Sequence, residues 1–422
     1  MRQDEREIIE QEVPSILTKR RFLLGDRVLW MMVVMFFAIS MVVVYSASSQ
    51  LGFKEGSTTI YLKKHIITLC LSAAIMGICY FTKARFMRRF TWLAYAVSLV
   101  ATIIPYFQAP INGAHRWLDL GFFMFQPSEL LKIATIMLLA ARLSAKHHII
   151  KKIHLLPTTF DVRKWFRKPE LDVIRNEILP IISPVACACA VILPDATSSA
   201  IHIFIVSMVM LFIAGIRWRE IAKFIVVAAV LGLAVIFTVG RGDTVTSRVK
   251  TWVGIEKSEK RSSNLLDSYT DSEKARMAMY NGGLFGVGAG RSVMRARLMH
   301  PESDYLFGFM IEEFGLLLSF VIVLLYLWLF FRALRIFEKC EWLYAGLLAV
   351  GLALLVTSQG FLHIGVAIGL LPETGQNLPF LTQGRTGMFC ASIALGIILS
   401  ISRQVEQGTL VPPSEQSSNK HI

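Results

Sequence analysis

VLWMMVVMFFAISMVVVYS, residues 28–46, carries no charged side chain and follows directly on Arg27. Coiled as an α-helix at 1.5 Å per residue, the run is about as long as the hydrocarbon core of a bilayer is thick. Apolar stretches of similar character recur near 65–81, 90–106, 129–144, 178–194, 196–215, 221–240, 304–331, 342–370 and 388–402. A backbone in lipid must satisfy its own hydrogen bonds, and uninterrupted apolar runs of this length do so as helices. The expected fold is an all-α polytopic membrane protein of about ten transmembrane helices.

Composition agrees. Of 422 residues, 54% are hydrophobic and only 18% charged, too few to coat a soluble protein of this size. The formal net charge of +14 raises the question of nucleic acid. The positive residues fall mainly in short loops between spans, however, and no basic helix or aromatic platform stands apart from them. That pattern indicates topology control and anionic lipid. The six cysteines form no C-x-x-C pair and mostly lie within apolar runs, so they read as small buried hydrophobes. His202 and His363 lie in spans without metal-ligand spacing and read as packed, hydrogen-bonded histidines.

Charge also sets orientation. The tail 1–27, the 82–89 loop, the 145–177 loop and the loops at 216–223 and 332–341 are rich in Lys and Arg. All fall on one side if both termini are cytoplasmic. The opposite side has the 47–64 loop, the 107–128 loop with only Arg116 and the 371–387 loop with only Arg385. Residues 241–303 are basic, with Arg248 among them, yet parity places them outside; long loops are exempt from the charge rule. This large loop between the seventh and eighth spans is either a solvated basic surface or a cover over a phosphate-bearing substrate. Residues 404–422, with Pro412-Pro413 and a run of serines, read as a disordered cytoplasmic tail. No internal repeat of the transporter kind is visible.

Five polar segments interrupt the apolar pattern, and ionisable groups at the rim of a span are functional candidates because burying them is expensive. N-G-A-H-R-W-L-D at 112–119 is followed by F-Q-P-S-E-L-L-K at 125–132. Glu129 and Lys132 share a helical face, either as an ion pair locking the entry to the fourth span or as a pair that orients a polar cavity, with Arg116 as a phosphate-type donor. In L-P-D-A-T-S-S at 193–199, Asp195 either caps the next helix or faces a cavity. N-G-G-L-F-G-V-G-A-G at 281–290 lacks the strand–helix unit of a nucleotide site, so its glycines imply close approach to a ligand or a neighbouring helix. P-E-S-D-Y-L-F at 301–307 precedes Glu312 and Glu313; Asp304 is either an N-cap or the best-placed external carboxylate for proton abstraction. L-P-E-T-G-Q-N-L-P-F at 371–380, continuing to Gly387, suggests a re-entrant or tightly packed plug.

In this order, over residues 25–403, these segments resemble the SEDS family (shape, elongation, division and sporulation), the bacterial polymerases of peptidoglycan glycan strands. The T-G-Q-x-L-P-F run at 374–380 is more similar to the division member FtsW than to the elongation member RodA. The resemblance implies Asp304 as catalytic carboxylate and Arg116, Glu129, Lys132 and Asp195 as substrate-binding positions, to which Arg248 of the basic segment is added. Departures are P-D-A-T at 194–197, Lys274-Ala275 before the glycines, and Thr382-Gln383-Gly384-Arg385 where the family has S-Y-G-G. It further implies lipid II as substrate, inverting glycosyl transfer with pyrophosphate as leaving group, and a class B penicillin-binding protein as partner. Basic residues, Arg116 and those of 241–303, or a divalent cation (Mg or Mn), would stabilise the leaving group. The location expected is the bacterial cytoplasmic membrane at the division septum, with other division proteins. A flippase of the same lipid-linked precursor is the rival of another class.

Overall fold

The computed structural model describes residues 24–55, 58–109, 115–119, 121, 123–147, 178–238, 242–253, 271–294, 305–382 and 384–410. A helix lies at each of the ten expected spans: α1 (Arg27–Glu55), α2 (Thr58–Phe81), α3 (Ala84–Ile103), α4 (Pro127–Ala145), α5 (Leu179–Ile192), α6 (Thr197–Ile213) and α7 (Trp218–Thr238), then α10 (Leu306–Glu338), α11 (Leu343–Ala367) and α12 (Arg385–Glu406). Among the described residues, six of them (α1, α2, α3, α10, α11 and α12) are long and apolar enough to cross a membrane.

The remaining elements depart from a purely helical string of spans. A two-stranded antiparallel hairpin, β1 (Leu118–Asp119) and β2 (Met124–Phe125), sits between α3 and α4. Two short helices, α8 (Gly242–Val253) and α9 (Asp271–Gly282), occupy the segment expected as a loop. The membrane region also runs past its expected end at Arg403: α12 reaches Glu406, and Leu410 beyond it is buried. The N-terminal tail before Leu24, most of the 145–177 loop and residues 411–422 lie outside the described residues.

Helices α11 and α12 form the centre. Their span windows are each 78% buried, against 28% for α3, whose exposed Trp92, Leu93, Val97 and Val100 suit a lipid-facing surface. Around this pair pack α2 on α12, α10 on α11, and α4 and α6 on α11, while α7 leans mainly on α6. Small residues permit the closest approaches: a Cβ on Gly396 of α12 would overlap the backbone of Met76 in α2. Only Cys390 of the cysteines is buried; Cys70 and Cys187 lie on the outer face, so apolar sequence context marked lipid exposure as much as core.

The described chain ends meet at one end of the bundle. Asp26 accepts from Arg332 Nε at 2.7 Å, Asp26 N–H donates to Ser402 Oγ at 2.8 Å, and Gly25 N–H donates to Glu406. Because α1 starts where α10 and α12 finish, the opposite end holds the C-terminal part of α1 and the N-terminal turns of α10 and α12. The polar segments converge there.

Candidate functional site

The site is built around residues 371–382, an irregular segment between α11 and α12. Non-helical backbone deep in a bundle has no ladder partners, so its carbonyls must find side chains. Here they do. Glu373 O accepts from Arg248 Nη1 of α8 at 3.3 Å, and Thr374 O from Ser198 Oγ of α6 at 2.5 Å. Gln376 O accepts from His363 Nδ1 at 2.8 Å and Asn377 O from Gln359 Nε2 at 3.3 Å, both on α11, and Pro379 O accepts from the Tyr326 hydroxyl of α10. Leu378 and Leu381 are fully buried, and Phe380, at φ +66°, stacks on Phe36 of α1 at 5.1 Å. A bulky residue in the left-handed region is strained, and packing on several sides holds it. The segment is a packed plug.

Beneath it lies the Glu129–Lys132 pair. Pro127 occupies the first turn of α4, where its missing N–H has no helical partner to lose, and the chain from there places both side chains on one face. The Lys132 ammonium lies 2.8 Å from Glu129 Oε1 and donates to Gln359 Oε1 and Gln376 Oε1, each at 3.4 Å. It is 1% exposed, and its three protons thus meet three acceptors. Gln376 Nε2 donates onward to Ser199 Oγ of α6 at 2.7 Å. A cavity of about 20 Å³ beside Glu129, lined also by Gln359 and Pro379, has room for one water.

The outer layer holds the remaining expected residues. Asp195 Oδ1 accepts from the backbone N–H of His115 at 3.1 Å. Helix α6 begins with Ala196 as its N-cap and no side-chain cap bond, so the capping reading of Asp195 is corrected: the turn at 193–195 instead aims the carboxylate at the backbone N–H of His115, ahead of β1. Arg116 lies over Trp117, 5.7 Å from the ring centroid, and shares a small pocket with Asp195, His115 and Ser128. Its Nε is buried without a hydrogen-bond acceptor among the described residues. Arg248 and Trp252 of α8 reach the plug and the end of α11, the latter donating to Gly369 O at 3.0 Å. Tyr305 donates its hydroxyl to Glu373. Asp304, the residue before it, lies outside the described residues.

Arg116, Lys132, Asp195 and Arg248 are therefore brought to one plug and its rim, with Glu129 beneath. An open cleft of about 300 Å³ flanks this rim, walled by Trp117, Phe123, Asn377 and Arg385. Sequence reasoning missed Gln359, Ser198 and Glu373 as members. For Gln359 the available signal is a lone amide inside an apolar run, weak because many such groups bond their own helix, whereas Ser198 and Glu373 lie within polar segments already singled out and only their individual roles were not named. His202 and His363 are packed and hydrogen-bonded as expected, His202 Nε2 pairing with Ser358 Oγ at 2.7 Å.

A model of the FtsW/RodA/SpoVE cell cycle protein family matches residues 26–407. The chain belongs to this family. Among its relatives, the probable peptidoglycan glycosyltransferase FtsW of Coxiella burnetii is 28% identical over 378 residues, 87% of this chain and 94% of the relative. Stage V sporulation protein E of Bacillus subtilis is also 28% identical, covering 90% of this chain and 97% of the relative. Of solved structures, a chain of a peptidoglycan synthase complex that coordinates polymerization and crosslinking matches with a TM-score of 0.66 at 19% identity, over 90% of this chain and 98% of that one. The rod shape determining protein RodA of Thermus thermophilus matches with a TM-score of 0.58 at 20% identity, over 93% and 99%. These two likenesses establish the family's fold for this chain.

Proposed function

We propose that this protein polymerises lipid II into peptidoglycan glycan strands at the outer face of the cytoplasmic membrane during cell division. The observation that carries the reading is the convergence of Arg116, Arg248 and Tyr305 on residues 373–375, above the buried Lys132–Glu129 pair, at the end of the bundle away from both chain ends. With ten spans and cytoplasmic termini, that end faces outward, where lipid-borne precursor is used. Both α8 and α9 belong to the extracytoplasmic segment between the seventh and eighth spans.

In this mechanism the Asp304 carboxylate takes the proton from a sugar hydroxyl of the acceptor. The oxygen attacks the anomeric carbon bearing pyrophosphate, the new glycosidic C–O bond forms as the old one breaks, and the configuration inverts. Negative charge accumulates on the departing undecaprenyl pyrophosphate. Arg116, whose Nε has no acceptor among the described residues, and Arg248 are the donors this reading assigns to it. Lys132 and Glu129 hold the plug that presents those arginines rather than touching substrate. A divalent cation, Mg or Mn, carried in by the pyrophosphate would add to this charge; among the described residues no three metal-ligating side chains gather to hold one alone. A class B penicillin-binding protein at the septum is the partner this reading expects.

The test is incubation of the purified protein, with and without such a transpeptidase, with labelled lipid II, followed by gel separation of glycan strands. Polymer that requires Asp304 supports the reading. Transbilayer movement of lipid II without polymer would replace it with the transporter reading.

A further inference from the structure

The glycine-rich run at 281–290 does more than pass close to a helix: its backbone is inserted into one. Helix α10 is broken at Gly315, whose φ of +83° and ψ of +169° lie far from helical values. In an unbroken helix the N–H of Leu316 would bond Glu312 O, and that of Leu317 would bond Glu313 O. Instead, Leu316 N–H donates to Gly283 O at 3.0 Å and Leu317 N–H to Leu284 O at 3.3 Å. The two freed carbonyls accept from Val287 N–H at 2.8 Å and Gly288 N–H at 3.0 Å. Cβ atoms on Gly282, Gly286 or Gly315 would overlap the facing backbone, which is why glycine stands at each.

The side chains of the two glutamates complete the junction. Glu312 is fully buried, and its carboxylate accepts from Asn281 Nδ2 at 3.0 Å, from the backbone N–H of Val293 at 3.2 Å, and from the Ser292 hydroxyl. Glu313 accepts from the Ser46 hydroxyl of α1, and Ser46 Oγ in turn accepts from Gly290 N–H at 2.7 Å. A buried carboxylate is retained only where its hydrogen bonds are met, and here nearly all its donors come from one stretch, 281–293. That stretch leads in sequence to Asp304.

We propose that Glu312 is a positioning residue for glycan polymerisation: its carboxylate, seated at the break in α10, ties residues 281–293 to the N-terminal half of that helix, which begins beside Tyr305 and its bond to Glu373 of the plug. The inference rests on the polymerase reading above. Glu312→Gln keeps an oxygen for Asn281 and Val293 and offers its amide to Ser292 Oγ, whereas Glu312→Ala removes every acceptor. Ser292→Ala removes one donor from the other side and guards against misfolding of the alanine variant.

The experiment measures lipid II polymerisation and backbone hydrogen exchange on the same purified, full-length proteins. Glu312→Ala is expected to lose at least tenfold in kcat with KM within twofold of the parent, and to exchange faster at Val287, Gly288 and Val293 while α11 and α12 stay protected. Ser292→Ala should shift both in the same direction by less, and Glu312→Gln should retain at least a third of the parent kcat. Unchanged kcat or unchanged exchange in Glu312→Ala overturns the proposal, as does a glutamine variant as impaired as the alanine one. If the parent itself makes no glycan, the polymerase reading fails instead, and unchanged exchange would still overturn the clamp by itself.

Discussion

Replacing Lys132 by methionine removes one charge from a fully enclosed polar cluster while nearly conserving side-chain volume. Three acceptors then lose their donor: Glu129 Oε1, Gln359 Oε1 and Gln376 Oε1. Neither amide can simply turn over to compensate. Gln376 Nε2 is committed to Ser199 and Gln359 Nε2 to Asn377 O, so a flip mends one bond by breaking another. Glu129, 6% exposed, is left without its counter-charge. Breaking a buried pair from one side costs about 3–5 kcal/mol, and the volume-conserving swap adds under about 1.5 kcal/mol of packing error. Glu129→Gln alone should cost less, since the amide oxygen can still accept from the ammonium. The Lys132→Met/Glu129→Gln double variant removes both charges together and should recover about 1–3 kcal/mol of the summed single losses.

The assay is denaturant unfolding of the purified protein in detergent micelles, read through tryptophan fluorescence, on all four members of the cycle. Glycan polymerisation on the same samples reports whether the plug still presents its arginines. Additivity within about 0.5 kcal/mol would mean that the two side chains do not interact. A Lys132→Met loss smaller than about 1 kcal/mol would refute the account of the buried cluster.

Asp304→Asn is expected to abolish polymerisation with unchanged membrane abundance; polymer from the purified variant would remove the general-base assignment. Gly315→Ala forces a side chain into a left-handed backbone and against Leu284 O, and should lower stability by about 3 kcal/mol or more in the same unfolding assay. Arg248→Ala removes one exposed donor at the rim and should lower kcat for lipid II polymerisation about threefold to tenfold at unchanged Tm and little-changed KM, the size of a single exposed charge-assisted hydrogen bond to the departing pyrophosphate. Burial pushes the Cys340 thiol, in the turn between α10 and α11, up to about 12, so the neutral form persists through neutral pH. Maleimide labelling there should be about a thousandfold slower at pH 8 than for a cysteine of ordinary pKa and should rise with pH.

Much of the architecture was legible because lipid imposes length and apolarity on any helix that crosses it. The run at 28–46 and its counterparts each mark a helix, but several helices continue past the apolar run into polar residues, α1 to Glu55 and α10 to Glu338. The candidate site was legible only as a set of residue types. Glu129 and Lys132, three apart, announce their pairing because both lie on one helix, and the distance of 2.8 Å follows from that spacing. Asp195 misled in part, since Pro194-Asp195 before an apolar run reads as a cap, whereas its carboxylate accepts from the backbone N–H of His115, eighty residues earlier. The plug's carbonyl partners were not legible. Arg248, Ser198, His363, Gln359 and Tyr326 come from four helices, and tertiary pairing of that kind leaves no local spacing to read.

The two ends of the bundle solve the same problem differently. Where the chain ends meet, regular helices terminate and a few side-chain bonds from Asp26, Arg332 and Ser402 suffice to tie them together. At the other end the backbone leaves regular geometry twice, in the 371–382 plug and at the Gly315 break in α10, and each departure strands carbonyl or N–H groups below the rim. Lipid offers these groups no partner, so the protein must supply one. At the plug it uses side chains; at the break it uses a second stretch of backbone. Both solutions tie the loops to the helices beneath. A sugar polymerase embedded in a membrane needs this rigidity, because its substrate arrives laterally on a lipid tail while its reacting atoms must be held to within a fraction of an ångström. In the proposed mechanism the irregular backbone at that end carries the donors to substrate, and the buried Lys132, Glu129 and Glu312 bond the segments that bear them.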